Sequence, residues 1–115
     1  MKIIVMRHGE AAHEAGRDDL RPLTDKGRKQ SIRMAEWVAE QLPRIDRVLV
    51  SPFLRAQQTW EAIQACLPVP AQIEDVHDLV PYGRSEVVTD YLRALDDEYV
   101  LIISPLPLVG YIVND

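Results

Sequence analysis

The chain has 115 residues, of which 47% are hydrophobic and 27% charged, a composition typical of a single globular domain. Its formal net charge of -5 argues against a surface for nucleic acid or anionic lipid, because either partner favours an excess of positive charge. The single cysteine, Cys66, excludes an internal disulfide bond and a cysteine-based metal cage. Its neighbours Ile63 and Leu67 predict that this thiol is buried on a helix.

Short apolar runs rich in valine and isoleucine predict β-strands at residues 2–6, 47–50 and 99–103. Their apolar residues do not alternate strictly with polar ones, which is typical of parallel strands covered on both faces. A further short strand is expected at residues 72–75. No run is long enough for a signal peptide core or a membrane span, so we expect a cytoplasmic protein without a membrane partner.

Helical periodicity predicts three helices between these strands, at residues 25–41, 52–65 and 85–95. Thr24 is a suitable N-cap for the first. The positions expected to be buried are Ile32, Ala35, Val38, Ala39 and Leu42 on the first helix, Leu54, Ala56, Trp60 and Ile63 on the second, and Val87, Val88, Tyr91 and Leu92 on the third. Helices alternating with parallel strands predict a three-layer α/β domain with a mostly parallel central sheet.

Ligands of open α/β sheets bind beyond the carboxyl ends of the strands. Arg7 and His8 follow the first predicted strand at this edge. Ser51 and Pro52 follow the second, as expected N-cap and first residue of a helix whose first turn carries Arg55. Two arginines and a histidine are therefore expected to converge where a helix N-terminus also favours an anion.

These residue types suit phosphoryl transfer. Guanidinium groups stabilise the negative charge on the oxygens of a transferred phosphoryl group. A neutral imidazole at His8 can attack phosphorus and become a phosphohistidine, which water then hydrolyses. The arginines take the neutralising role of a cation, so we expect no metal or other cofactor.

Three motifs carry a family resemblance: RHGE at residues 7–10, RPLTDKG at 21–27 and VLVSPFLRAQQT at 48–59. They resemble the histidine phosphatase superfamily, whose fold is called phosphoglycerate mutase-like. Together with SPLPLVGY at 104–111, they are most similar to the SixA-type phosphohistidine phosphatases of that superfamily. The match runs in order from residue 3 to about residue 113.

The resemblance implies roles for individual residues. His8 matches the phosphorylated nucleophile, and Arg7 and Arg55 match the phosphate-binding arginines. Arg21 matches an arginine near the pocket. Asp78 lies where many members carry a general-acid glutamate, and a solvated loop aspartate is the alternative interpretation.

The chain departs from the family at Pro105, where SixA-type enzymes carry a second histidine. Proline has no ring nitrogen and no backbone N–H to offer a phosphate, and one lost donor typically lowers turnover by about 10²–10³-fold. Ser104 is a candidate phosphate-binding hydroxyl, and Ser104 with Pro105 also suits the start of a helix. His13 or His77 could supply the missing donor.

The resemblance also implies that the family's chain continues beyond this sequence. We therefore expect one SixA-like domain over residues 1–115 that lacks the C-terminal strand and tail of the family.

The expected function is a phosphatase that dephosphorylates a histidine-containing phosphotransfer or signalling protein through a phosphohistidine on His8. A phosphate- or phosphoprotein-binding module, weakened in catalysis because of Pro105, is the alternative. A phosphoglycerate mutase or small-molecule phosphatase is a third hypothesis, disfavoured by short loops that leave little lid over a small substrate.

Overall fold

The computed structural model describes residues 1–13, 16–81 and 83–105. Within them, four parallel strands form one sheet in the order β1-β4-β2-β3. The strands are β1 (Lys2–Arg7), β2 (Arg47–Val50), β3 (Gln72–Asp75) and β4 (Tyr99–Ser104). The predicted parallel sheet is confirmed, and β1 and β4 each extend one residue beyond the predicted end.

The helices within the described residues are α1 (Asp25–Gln41), α2 (Leu54–Ile63) and α3 (Ser85–Arg93). Single 3₁₀ turns lie at Asp18–Leu20 and Gln64–Cys66. The bounds of α1 are as predicted, and the Thr24 hydroxyl accepts a hydrogen bond from the Gly27 N–H at 2.9 Å, which confirms the N-cap. None of these helices is both long and apolar enough to cross a lipid bilayer.

The three-layer arrangement is visible in two apolar clusters, one on each face of the sheet. Residues of α1 and α2 pack on one face, and residues of α3 pack on the other. The first cluster includes Met6, Ala35, Val38, Leu42, Val48, Val50, Ala56, Ile63, Leu101 and Ile103, and the second Leu49, Leu79, Val88, Leu92, Val100 and Ile102. Each fully buried aliphatic side chain contributes about 1.5–3 kcal/mol, so both faces stabilise the strands that carry the site.

The start of α2 differs from the prediction. The helix begins at Leu54 rather than Pro52, with Phe53 at the N-cap. Ser51 still belongs to the sheet edge, because its N–H donates to the Ile103 carbonyl and its own carbonyl accepts from the side chain of Gln57. The Ser51 hydroxyl accepts from the Phe53 N–H at 3.2 Å, so it closes a turn instead of capping the helix.

The prediction of a buried thiol was also wrong. Cys66 is exposed at the end of the 3₁₀ turn after α2, whereas Leu67 continues the buried surface.

The loop after β1 lies directly on the first turn of α1. A Cβ atom added at Gly27 would overlap the main-chain oxygen of Glu10, and one added at Gly9 would overlap the main-chain oxygen of Gly27. Both glycines are buried. The close approach of two backbones therefore fixes where the loop that carries His8 sits.

Substitution of Gly27 by alanine is expected to lower the free energy of unfolding by about 1–3 kcal/mol, because the overlapping atom is main chain and moves only with the loop. The loss should outweigh the gain of about 1 kcal/mol in helix propensity. Urea denaturation measures the difference, with Lys29→Ala, an exposed change in the same helix, as the control. A Gly27→Ala protein as stable as the wild type would contradict the close approach.

Candidate active site

Side chains from three separate segments meet at the carboxyl edge of the sheet. Arg7 ends β1, His8 follows it, Arg21 lies in the loop before α1, and Arg55 lies in the first turn of α2. All four line one open cavity of about 830 Å³. The structure thus brings together the four residues that the sequence placed at this site.

Hydrogen bonds at both ring nitrogens hold the imidazole of His8 in one orientation. Nδ1 lies 2.6 Å from the Gly9 carbonyl oxygen, and because that oxygen only accepts, Nδ1 carries the proton. Nε2 is then unprotonated, and its lone pair accepts a hydrogen bond from Arg55 Nε at 3.1 Å. The available nucleophilic nitrogen of His8 therefore faces the guanidinium group of Arg55.

Arg55 is 5% exposed, although arginine is seldom buried. Its Nη1 donates to the main-chain carbonyl of Asp18 at 2.8 Å, and its guanidinium lies 4.7 Å from the centroid of the Phe53 ring. Buried charge is tolerated only when it is paired and hydrogen-bonded. These contacts preorganise Arg55 instead of leaving it as a solvated helix charge.

Arg21 is tied to the same 3₁₀ turn. Its Nε donates to the Ala12 carbonyl at 2.7 Å, and its Nη1 donates to Asp18 Oδ1 at 3.0 Å. Two residues further on, the Leu23 N–H donates to the Gln58 side chain on α2 at 2.8 Å. The loop that carries Arg21 is thereby joined to the helix that carries Arg55.

The electrostatics of the site keep His8 neutral. Partial burial lowers the pKa of His8 below its ordinary value of 6.5, and the nearby charges of Arg55, Arg7 and Arg21 lower it further, against an opposing contribution from the Gly9 carbonyl. Arg7 itself is exposed at the mouth of the cavity. The arrangement therefore combines an unprotonated imidazole nitrogen with a concentration of positive charge.

We expect His8 to titrate below pH 6.5 in the folded protein, as followed by NMR of its imidazole. The unfolded chain then binds the proton more readily than the folded one, so the free energy of unfolding should fall as the pH drops below 6.5. Arg7→Gln removes a nearby positive charge and should raise the pKa of His8. Titration of His8 at or above 6.5 in the wild type would contradict this description.

Ser104 and Pro105 are both buried at the end of β4. Pro105 lines the cavity, as does His13, but Ser104 is not among the lining residues, and its hydroxyl donates to the Pro105 carbonyl at 3.0 Å. Phosphate binding by Ser104 stays a prediction without support from this geometry. The helix predicted to begin at Pro105, and the rest of the SPLPLVGY match, lie outside the described residues.

Asp78 is not at the cavity either. Its carboxylate lies 3.6 Å from Arg84 Nε and accepts from the Arg84 N–H at 3.5 Å. His77 is exposed and does not line the cavity. The predicted acid role of Asp78 therefore has no geometric support.

The other wall of the cavity is formed by α1. Gln30, Ser31, Met34 and Trp37 line it, and Met34 and Trp37 are 49% and 50% exposed. The space is much larger than a phosphoryl group and is open to solvent, so it can admit a phosphoryl group that is attached to a large molecule.

Sequence reasoning missed Asp18 and Gln58, which hold the arginine-bearing segments. The three-residue spacing of Asp18 and Arg21 was the available signal for the ion pair.

Among the described residues, no three or more histidine, cysteine, aspartate or glutamate residues are grouped as metal ligands.

The chain is similar to known phosphatases over its whole length. The family model of the histidine phosphatase superfamily (branch 1) matches residues 3–99. The phosphohistidine phosphatase SixA of Escherichia coli (strain K12) is 49% identical over 118 aligned residues, which cover 100% of this chain and 73% of that protein. The phosphohistidine phosphatase SixA homolog of Haemophilus influenzae is 42% identical over 100% of this chain and 76% of that protein.

Comparison of the fold with solved structures also finds a SixA protein. A solved structure of the protein histidine phosphatase SixA complexed with tungstate matches with a TM-score of 0.90 and 48% identity, over 96% of this chain and 73% of that one. The chain therefore belongs to the histidine phosphatase superfamily.

Proposed function

We propose that the protein is a phosphohistidine phosphatase that uses His8 as its nucleophile. The observation that carries the proposal is the pair of hydrogen bonds on the His8 ring, which holds Nδ1 protonated and directs the Nε2 lone pair toward Arg55. The likeness to relatives named as SixA phosphohistidine phosphatases supports the same activity.

The proposed reaction has two steps. His8 Nε2 attacks phosphorus, the bond from phosphorus to the substrate's imidazole nitrogen breaks, and that nitrogen takes up a proton from the solvent to which the cavity is open. Water then attacks the phosphoryl group on His8, which releases inorganic phosphate and restores the free imidazole. Arg55 Nε gives up its hydrogen bond to His8 in the first step and donates to a phosphoryl oxygen instead.

The binding role of the arginines follows from their charge and geometry. Arg7, Arg21 and Arg55 face one cavity, and guanidinium groups match the oxygens of a phosphoryl group. The tungstate complex of a SixA protein supports an oxyanion site of this kind. We propose that inorganic phosphate or a similar anion occupies the same cavity here.

The openness of the cavity favours a protein substrate. A small metabolite gains most of its binding energy from enclosure, whereas this cavity is open along the exposed Met34 and Trp37 side chains of α1. We propose a histidine-phosphorylated phosphotransfer protein as the partner and the cytoplasm as the compartment. The alternative of a catalytically weakened binding module because of Pro105 is not supported by the comparisons, in which phosphatases match the whole chain.

The test is release of inorganic phosphate from a histidine-phosphotransfer domain phosphorylated on its histidine, followed together with loss of the phosphohistidine. A matched peptide carrying phosphoserine serves as the comparison substrate. Binding of the phosphorylated domain without any phosphate release would reject the enzymatic proposal.

A further inference from the structure

Asp18 does not line the cavity, but it contacts two of the arginines that do, Arg21 and Arg55. Its Oδ1 accepts from Arg21 Nη1 at 3.0 Å, and its Oδ2 lies 3.4 Å from Arg55 Nη2. Its main-chain carbonyl accepts from Arg55 Nη1 at 2.8 Å. One residue of the 3₁₀ turn thus contacts two guanidinium groups that come from separate parts of the chain.

We propose that Asp18 is a positioning residue that holds Arg21 against the phosphoryl site by means of its carboxylate. The proposal rests on the proposed function, because it assigns Arg21 a phosphoryl oxygen as its ligand. Asp18 does not line the cavity, so in this proposal its effect on the reaction passes through Arg21.

Asp18 holds the two arginines with different groups, its main-chain carbonyl and its side-chain carboxylate. Arg55 is held mainly by a main-chain oxygen, which no substitution at position 18 removes. Arg21 is held by the carboxylate, and its other described anchor is the Ala12 carbonyl at its Nε. Without the carboxylate, the guanidinium of Arg21 can pivot about that single hydrogen bond toward solvent.

Charge also favours this arrangement. Two guanidinium groups near each other repel, and a carboxylate between them offsets the repulsion. The hydrogen bond from Arg21 is the main cause that holds the pKa of the Asp18 carboxyl below its ordinary value, and Arg55 contributes in the same direction. Both arginines therefore favour the ionised form of the Asp18 carboxyl.

The direction of the change in phosphate affinity on removal of Asp18 distinguishes two roles for its carboxylate. A carboxylate close to an anion site also repels the anion, so a mere competitor would weaken phosphate binding and its removal would strengthen it. A positioning residue has the reverse effect, because its removal takes a cation out of place.

The experiment measures the dissociation constant of inorganic phosphate by calorimetry and kcat/KM on the phosphorylated phosphotransfer domain. We expect Asp18→Ala to weaken phosphate binding and to lower kcat/KM by about tenfold or more, the size of one charge-assisted hydrogen bond. Asp18→Asn keeps an acceptor for Arg21, so it should stay within about threefold of the wild type. Asp19→Ala is the matched control, because Asp19 is the next residue of the same turn and pairs with Arg17 at 2.7 Å.

A double-mutant cycle tests whether Asp18 acts through Arg21. In an Arg21→Ala background, Asp18→Ala should change neither quantity further. Tighter phosphate binding in Asp18→Ala, an unchanged dissociation constant, or full additivity with Arg21→Ala would each overturn the proposal. If the wild type binds phosphate but releases none from the phosphorylated domain, the proposed function fails, and the phosphate dissociation constants still decide the role of Asp18.

Discussion

Replacement of His8 by alanine is expected to abolish the phosphoenzyme and to lower kcat by about 10⁴-fold or more, the scale seen when a covalent nucleophile is removed. The physical reason is that no other described imidazole combines a proton fixed on one nitrogen with a lone pair directed at a buried guanidinium. Arg7, Arg21 and Arg55, the proposed phosphate-binding residues, remain in this variant, so inorganic phosphate should still bind to His8→Ala.

The measurement is a reaction with a radiolabelled phosphodomain, quenched in alkaline detergent because phosphohistidine is stable to base and labile to acid, followed by mapping of the label. The wild type should carry acid-labile label on His8, and His77→Ala, a change at an exposed histidine away from the cavity, should label like the wild type. Label on another residue, or normal turnover by His8→Ala, would remove His8 from the mechanism.

Replacement of Arg55 by lysine is expected to lower kcat by about 10²–10³-fold, the loss that follows removal of one preorganised donor to a developing charge. Lysine keeps the positive charge but offers a single ammonium in place of a planar fork. It cannot contact His8, the Asp18 carbonyl and the Phe53 ring at once, as Arg55 does.

Rapid-quench kinetics on the phosphorylated domain measures this effect, and Arg44→Lys is the control because Arg44 is an exposed arginine paired with Asp46 and Glu98 away from the cavity. Denaturation in urea determines how much of the loss reflects stability, since Arg55 is buried. Equal kcat values for Arg55→Lys and the wild type would mean that charge alone suffices at this position.

The placement of the site could be predicted because it follows from sheet topology. The carboxyl ends of parallel strands share one edge, so residues just after β1 and β2 had to approach each other. The prediction that Arg7, His8 and Arg55 converge needed only the apolar runs and the residues that follow them. The bounds of α1 were predictable for the same kind of reason, since Thr24 and the apolar periodicity are local signals.

The features that the sequence did not predict correctly depend on contacts between distant segments. Ser51 and Pro52 have the local chemistry of a helix start, but pairing of Ser51 with β4 delays the helix to Leu54. Asp18 lies in a three-residue turn too short to show any periodicity, so its two arginine contacts were not predicted. The absence of a C-terminal strand and tail stays a prediction.

The pairing of β1 has a consequence for the timing of folding. Within the described residues β1 hydrogen-bonds to β4 alone, and Lys2 faces Tyr99 in that register. As the ribosome makes the chain, His8 emerges early, but the neighbour that holds its strand emerges about ninety residues of synthesis later. Newly made chains should thus gain the ability to take up a phosphoryl group only after β4 has emerged and paired with β1.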